Sequence, residues 1–149
     1  VITLDASDVI VTNHTYHSVR GSTARGSTNT LVYRWTSVAD NVGTGITYSD
    51  SATDGGSWAI TQEGIYCVSC SVDVGHNGYV AIKRAAALSN TFDATDIMVA
   101  VEAFTGVTVT MTWTGYCASG SDIWIATSAA TNPTGTPVNN NRVTVARVR

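Results

Sequence analysis

The chain has 149 residues, of which 44% are apolar and only 13% charged, about half the usual charged share of about 25%. That composition is too apolar and too weakly charged for intrinsic disorder, and too poor in Lys, Glu and Leu for a helical bundle. A net charge of −3 gives no electrostatic reason to expect nucleic acid, and the length fits one ordinary domain.

In chain order, Val1–Leu4 and Val9–Val11 open an extended arm. The doubled Gly-Ser-Thr of residues 21–29 reads as a flexible polar linker, so residues 1–28 are expected to form an anchoring arm and residues 29–149 the folded body. Leu31, Tyr33 and Trp35 alternate with Val32, Arg34 and Thr36, the period of a strand. Short strands follow at Ile46–Tyr48 and Trp58–Ile60, the second entered through Asp54-Gly55-Gly56. The clearest strand signal runs from Ile65 to Val74. Tyr66, Val68, Cys70, Val72 and Val74 fall on one face, and Cys67, Ser69, Ser71 and Asp73 on the other. Gly75-His76-Asn77-Gly78 predicts a hairpin turn into Tyr79–Lys83, and Ala85–Leu88 a single helical turn. Strands are expected at Ile97–Phe104 and Val107–Thr114. In the second, Val107, Val109, Met111 and Trp113 oppose a ladder of Thr108, Thr110, Thr112 and Thr114. Ile123–Thr127 and Arg142–Val148 complete about seven to nine short strands. The fold class is all-β, an antiparallel two-sheet sandwich or jelly roll, because crossover helices are missing.

The order of motifs from Gly26 onward resembles the C1q/TNF-like jelly roll of tailed-phage virion proteins. The matching stretches are Gly26–Trp35, Thr44–Thr53, Gly56–Tyr66, Thr112–Tyr116, Gly120–Ile125 and the closing Arg142–Arg147, together about 120 residues of span. The resemblance implies a jelly roll of about ten strands that assembles as a homotrimer. It implies a non-enzymatic virion-surface role as a capsid decoration, head fibre or tail-fibre head that contacts the host. The arm, residues 1–28, would hold the capsid or tail protein of the same virion. The location implied is the virion surface, after assembly in the bacterial host cytoplasm.

The chemistry-bearing residues are each weighed against packing. Cys67 and Cys70 match C-x-x-C, but residues three apart on a strand point to opposite faces, so their sulfurs do not converge. Three cysteines are an odd set, which suits a reducing compartment better than a disulfide scaffold. His14 and His17, with His76 remote in sequence, lack an acidic or Cys cluster that would complete a metal site. Asp50 and Asp54 flank Gly-rich turns where a carboxylate caps the local backbone, and Asp93, Asp96 and Glu102 show no Ca²⁺-loop spacing. The Asn13-His14-Thr15 sequon has meaning only in a secreted eukaryotic protein. No catalytic residue, metal site or cofactor is expected, and no membrane partner, since no apolar run approaches the roughly 18 residues of a span. No basic and apolar leader opens the chain. The aromatics are the best binding candidates. Tyr116 and Trp124, near strand ends or opposite the apolar face, are expected at the surface, and a lectin-like module binding host glycans there is the alternative function. A small β-sandwich hydrolase stands well behind both.

Overall fold

The computed structural model describes residues 15–21, 24–133 and 141–148. Within them the chain forms β1 (Tyr16–Arg20), β2 (Ala24–Arg25), β3 (Tyr33–Arg34), β4 (Ser37–Val42), β5 (Ile46–Ser51) and β6 (Gly55–Ile60). The second half supplies β7 (Gly64–Asp73), β8 (Gly78–Ala85), β9 (Ile97–Ala103), β10 (Thr108–Cys117), β11 (Asp122–Thr127) and β12 (Arg142–Arg147). Two five-stranded antiparallel sheets, β10-β7-β12-β1-β4 and β5-β6-β11-β8-β9, pack face to face as a jelly roll, with β2 and β3 forming a small separate ribbon. From β6 onward the chain passes repeatedly between the sheets, which closes one core between them.

The period of two decides what lies in that core. On β7, Tyr66, Val68, Cys70 and Val72 are buried while Cys67, Ser69, Ser71 and Asp73 are half-buried on the outer face, as the alternation predicted. Trp35, Trp58, Tyr66, Val143, Val145, Ile123 and Ile125 join them between the sheets. Two polar tips inside the core find partners: the Tyr66 hydroxyl donates to the Gln62 carbonyl at 2.6 Å, and the Trp58 indole N–H donates to His17 Nδ1 at 3.1 Å.

Three local expectations are corrected. The arm and linker assigned to residues 1–28 overlap the fold. Tyr16–Arg20 lies inside the first sheet between β12 and β4, and Arg147 N–H donates to the Thr15 carbonyl at 2.8 Å. Residues 26–29 are tied down too. Gly26 N–H donates to Val32 O at 3.0 Å, and the N–H groups of Ser27 and Thr28 donate to Ala52 O and Thr53 O, each at 2.9 Å. The part of the arm at residues 1–14 lies outside the described residues. Gly75–Gly78 is not a hairpin, because β7 and β8 belong to opposite sheets and the turn carries the chain across the sandwich. Ala85 extends β8, and residues 86–87 form a bend that runs into irregular chain at Leu88 rather than a helical turn.

A second, smaller core sits on the outside of the second sheet. Val32, Trp124 and Ala126 are buried there against Ala85, Leu88 and Phe92. The cover is held by Asn90, which accepts from Leu31 N–H at 2.8 Å and donates to Thr28 O at 3.2 Å. Lys83 pairs with Trp124 in register and is fully buried beneath the same cover. Its ammonium donates to Thr91 O at 2.5 Å, lies 3.9 Å from an Asp96 carboxylate oxygen and stands 5.3 Å from the Trp124 ring centroid. That carbonyl, carboxylate and ring face meet the cost of burying the only lysine in the chain.

Candidate functional site

The residues expected to bind at the surface do not form one site. Tyr116 is 51% exposed at the end of β10. Its hydroxyl donates to Glu63 Oε2 at 2.8 Å, and this hydrogen bond raises its pKa. The Tyr116 carbonyl accepts from Arg84, whose guanidinium lies 5.4 Å from the Trp113 ring centroid. Arg147 closes the far side, donating to the Glu63 carbonyl at 2.8 Å and to Gln62 Oε1 at 3.3 Å. Trp124 is the correction. It does lie opposite the main apolar face, but it is fully buried because residues 31–32 and 85–92 cover that side of the sheet. The apolar Leu31-Val32 pair and the Ala85–Leu88 run were the sequence signal for that cover.

The remaining candidates resolve into separate structural roles. Cys67 is half-buried on the outer face and Cys70 and Cys117 are buried, all three as free thiols. Burial pushes the Cys70 and Cys117 thiols well above their usual range, the opposite of a reactive cysteine. His14 lies outside the described residues; His17 is buried between the sheets, and His76 Nε2 lies 2.8 Å from Thr127 Oγ1. Burial lowers the pKa of both described histidines. Among the described residues no group of three or more His, Cys, Asp or Glu converges as a metal site would require. Asp50 is held in a two-point pair with Arg34 at 3.0 Å, and Asp54 accepts from Ser51 in its turn. Asp93 caps its loop through Thr91 and Thr95, whose hydroxyls bring its pKa down to about 2.

What the fold does build is a broad, quiet face. The outer side of the first sheet presents Thr108, Thr110, Thr112 and Thr114 from β10, all exposed, in register with Asp73, Ser71, Ser69 and Cys67 of β7. Thr144 and Ala146 of β12 continue the same surface by their pairing, while Ser18 of β1 beside them is buried. Of its charges, Asp73, Arg142 and Arg20 lie toward one end, and Asp40 of β4 lies in the row of Ser18, Thr144 and Thr112. At that same end, where β9 passes to β10, the large apolar side chains Tyr79, Phe104 and Val107 are about half exposed (48%, 53% and 48%).

No family model matches the chain, and no curated protein matches it. Solved structures do. The chain is similar to murine APRIL at pH 8.0, with 11% identity over 91% of this chain and 99% of that one, at a TM-score of 0.65. It is also similar to GITRL from bushbaby (12% identity, 91% and 94% covered, TM-score 0.53) and to pika GITRL (9%, 89% and 97%, TM-score 0.53). At such identities the likeness defines the fold alone. The chain has a TNF-like jelly-roll fold.

Proposed function

We propose that this protein is a non-enzymatic structural knob: a homotrimer displayed on the surface of a tailed-phage virion, as capsid decoration or head fibre, or as a tail-fibre head that contacts the host. The observation that carries the reading is the outer face of the first sheet, where small Ser, Thr and Ala side chains present a surface with little charge. Such a face admits close approach by another copy without desolvating ionised groups. A closed three-fold ring needs two different complementary patches on each subunit. The apolar Tyr79, Phe104 and Val107 supply a second patch beside the first. The virion setting rests on the order of sequence motifs that resemble phage jelly rolls. In this reading residues 1–14 engage the capsid or tail protein, and the buried, free thiols suit assembly in the host cytoplasm. A lectin-like platform at Tyr116 loses its second aromatic, since Trp124 is buried.

The test is the mass of the purified protein by light scattering at micromolar concentration, together with Thr112→Glu. The wild type is expected at three times the chain mass. The variant, which puts charge in the middle of the exposed Thr ladder, is expected to fall to the monomer with its β-sheet circular dichroism unchanged. A monomeric wild type overturns the assembly, and failure of antibodies to label intact particles overturns the virion role.

A further inference from the structure

We propose that the open edge of the sandwich between β4 and β5 is a binding site for a neutral sugar, a single hexopyranose or the terminal residue of an uncharged glycan. The proposal stands apart from the virion reading. β4 is the edge of the first sheet and β5 the edge of the second. All six residues of β4 are exposed, although Val38 and Asn41 pair in register with the buried Val19 and His17 and share their inward side. At this margin lies a cleft of about 370 Å³ bordered by His17, Val38, Asn41, Thr44, Ile46 and Tyr48. That volume falls within the roughly 300–1,000 Å³ typical of small-ligand sites.

The floor carries an unusual donor. His17 is only 2% exposed, and its Nδ1 accepts the Trp58 indole N–H at 3.1 Å. The neutral ring therefore bears its proton on Nε2, and that N–H has no hydrogen-bond partner among the described residues. His17 lines the cleft, so a ligand oxygen entering it could accept from that N–H. Beside it the Tyr48 ring lies 5.1 Å from the His17 ring, is backed by Trp58 at 5.0 Å, and is fixed by its hydroxyl donating to Trp35 O at 2.7 Å. Val38 and Ile46 add apolar walls, while the Asn41 amide and Thr44 hydroxyl on the rim are not engaged by other described residues.

These features select a ligand class. Among the described residues no Asp, Glu, Lys or Arg borders the cleft, so an ionised ligand would lose hydration against no countercharge from them. A purely apolar ligand would leave the His17 donor unmatched. A pyranose ring offers a C–H face for Tyr48 and Val38 and hydroxyl oxygens for His17 and Asn41. A ligand of that size and polarity would bind with a Kd of about 1 mM.

The experiment is a ¹H–¹⁵N NMR titration of the full chain with glucose, galactose, mannose and N-acetylglucosamine, each tested singly. At least one is expected to give saturable shifts at the Trp58 indole N–H and the Asn41 amide. Val38→Trp, at a position 55% exposed and so tolerant of substitution, should fill the cleft and weaken that binding at least about tenfold, with the remaining spectrum preserved. Absence of saturable shifts with all four sugars overturns the site. Shifts that persist in Val38→Trp, or that centre on Tyr116, overturn its location. Glucuronate binding as tightly as glucose overturns the neutral class. The oligomer mass is a separate readout, so failure here leaves the assembly proposal standing or falling on its own test.

Discussion

His17 shows how a single residue can be visible in a sequence and yet unreadable there. Its spacing from His14 raised a metal site. Its strand position instead sends it between the sheets, where it accepts a hydrogen bond from Trp58 as a neutral ring. The pH dependence follows with its sign. Burial lowers the folded-state pKa below the ordinary 6.5, so the unfolded chain binds the proton first as the pH falls. Stability is therefore complete above about pH 6.5 and declines as the pH drops below it, until the folded state also protonates. His76, whose pKa burial also lowers, acts in the same direction. Thermal unfolding followed from about pH 7 to about pH 5 should show a falling midpoint, and His17→Gln, which keeps an acceptor for the Trp58 indole, should flatten that slope. An unchanged slope would remove His17 as its source. Trp124 and Tyr116 make the complementary case. Tyr116 lies near the end of β10 and is half-exposed, whereas Trp124 lies within β11 and is fully buried under a cover that strand period does not encode.

At the scale of the element, strands with a long, clean alternation were legible and short connecting segments were not. β7 buries the face its sequence predicts, and on β10 Val109 and Met111 are inside and the threonines outside, with Trp113 half-buried and Val107, just before the strand, about half exposed. The TNF-like fold was legible through the order of such strands. β1 escaped notice because Tyr16–Arg20 mixes His, Ser and Arg, and its burial comes from its neighbours β12 and β4 rather than from its own pattern. The Gly-Ser-Thr stretch read as a linker for a similar reason, since its backbone hydrogen bonds reach residues 52 and 53 and leave no local trace. Gly26 tests the difference. A Cβ built there would meet Thr53 O at 2.6 Å and the Asp54 carbonyl carbon at 2.8 Å, backbone atoms that cannot turn aside. Gly26→Ala should therefore cost about 1–3 kcal/mol in denaturant unfolding. In a solvated linker the same change would be neutral or slightly stabilising.

At the scale of the whole molecule, scarce charge and a small-residue face make the same demand on assembly. Contacts built on Ser, Thr and a few apolar side chains have little Coulomb energy for ions to screen. The proposed trimer should therefore keep its mass by light scattering when salt is raised to about 1 M, where the Debye length falls to about 3 Å. Dissociation under those conditions would point instead to the Arg20, Arg142 and Asp73 end of the face. The cleft between β4 and β5 was not readable from sequence, because it lies between the edges of two sheets and none of its residues is unusual for a strand or turn. The pairing of β1 with β12 sets how the knob answers a pull. Tyr16 lies opposite Ala146 and Arg20 opposite Arg142, so Thr15 and Val148 leave the sheet side by side at one end. Tension applied between those two points opens the β1–β12 ladder one hydrogen bond at a time, like a zipper. Tension between Thr15 and the Phe104–Val107 end runs along the strands instead and loads many hydrogen bonds in shear at once. A knob held through its first strand and gripped at its far end is loaded in its mechanically stronger direction.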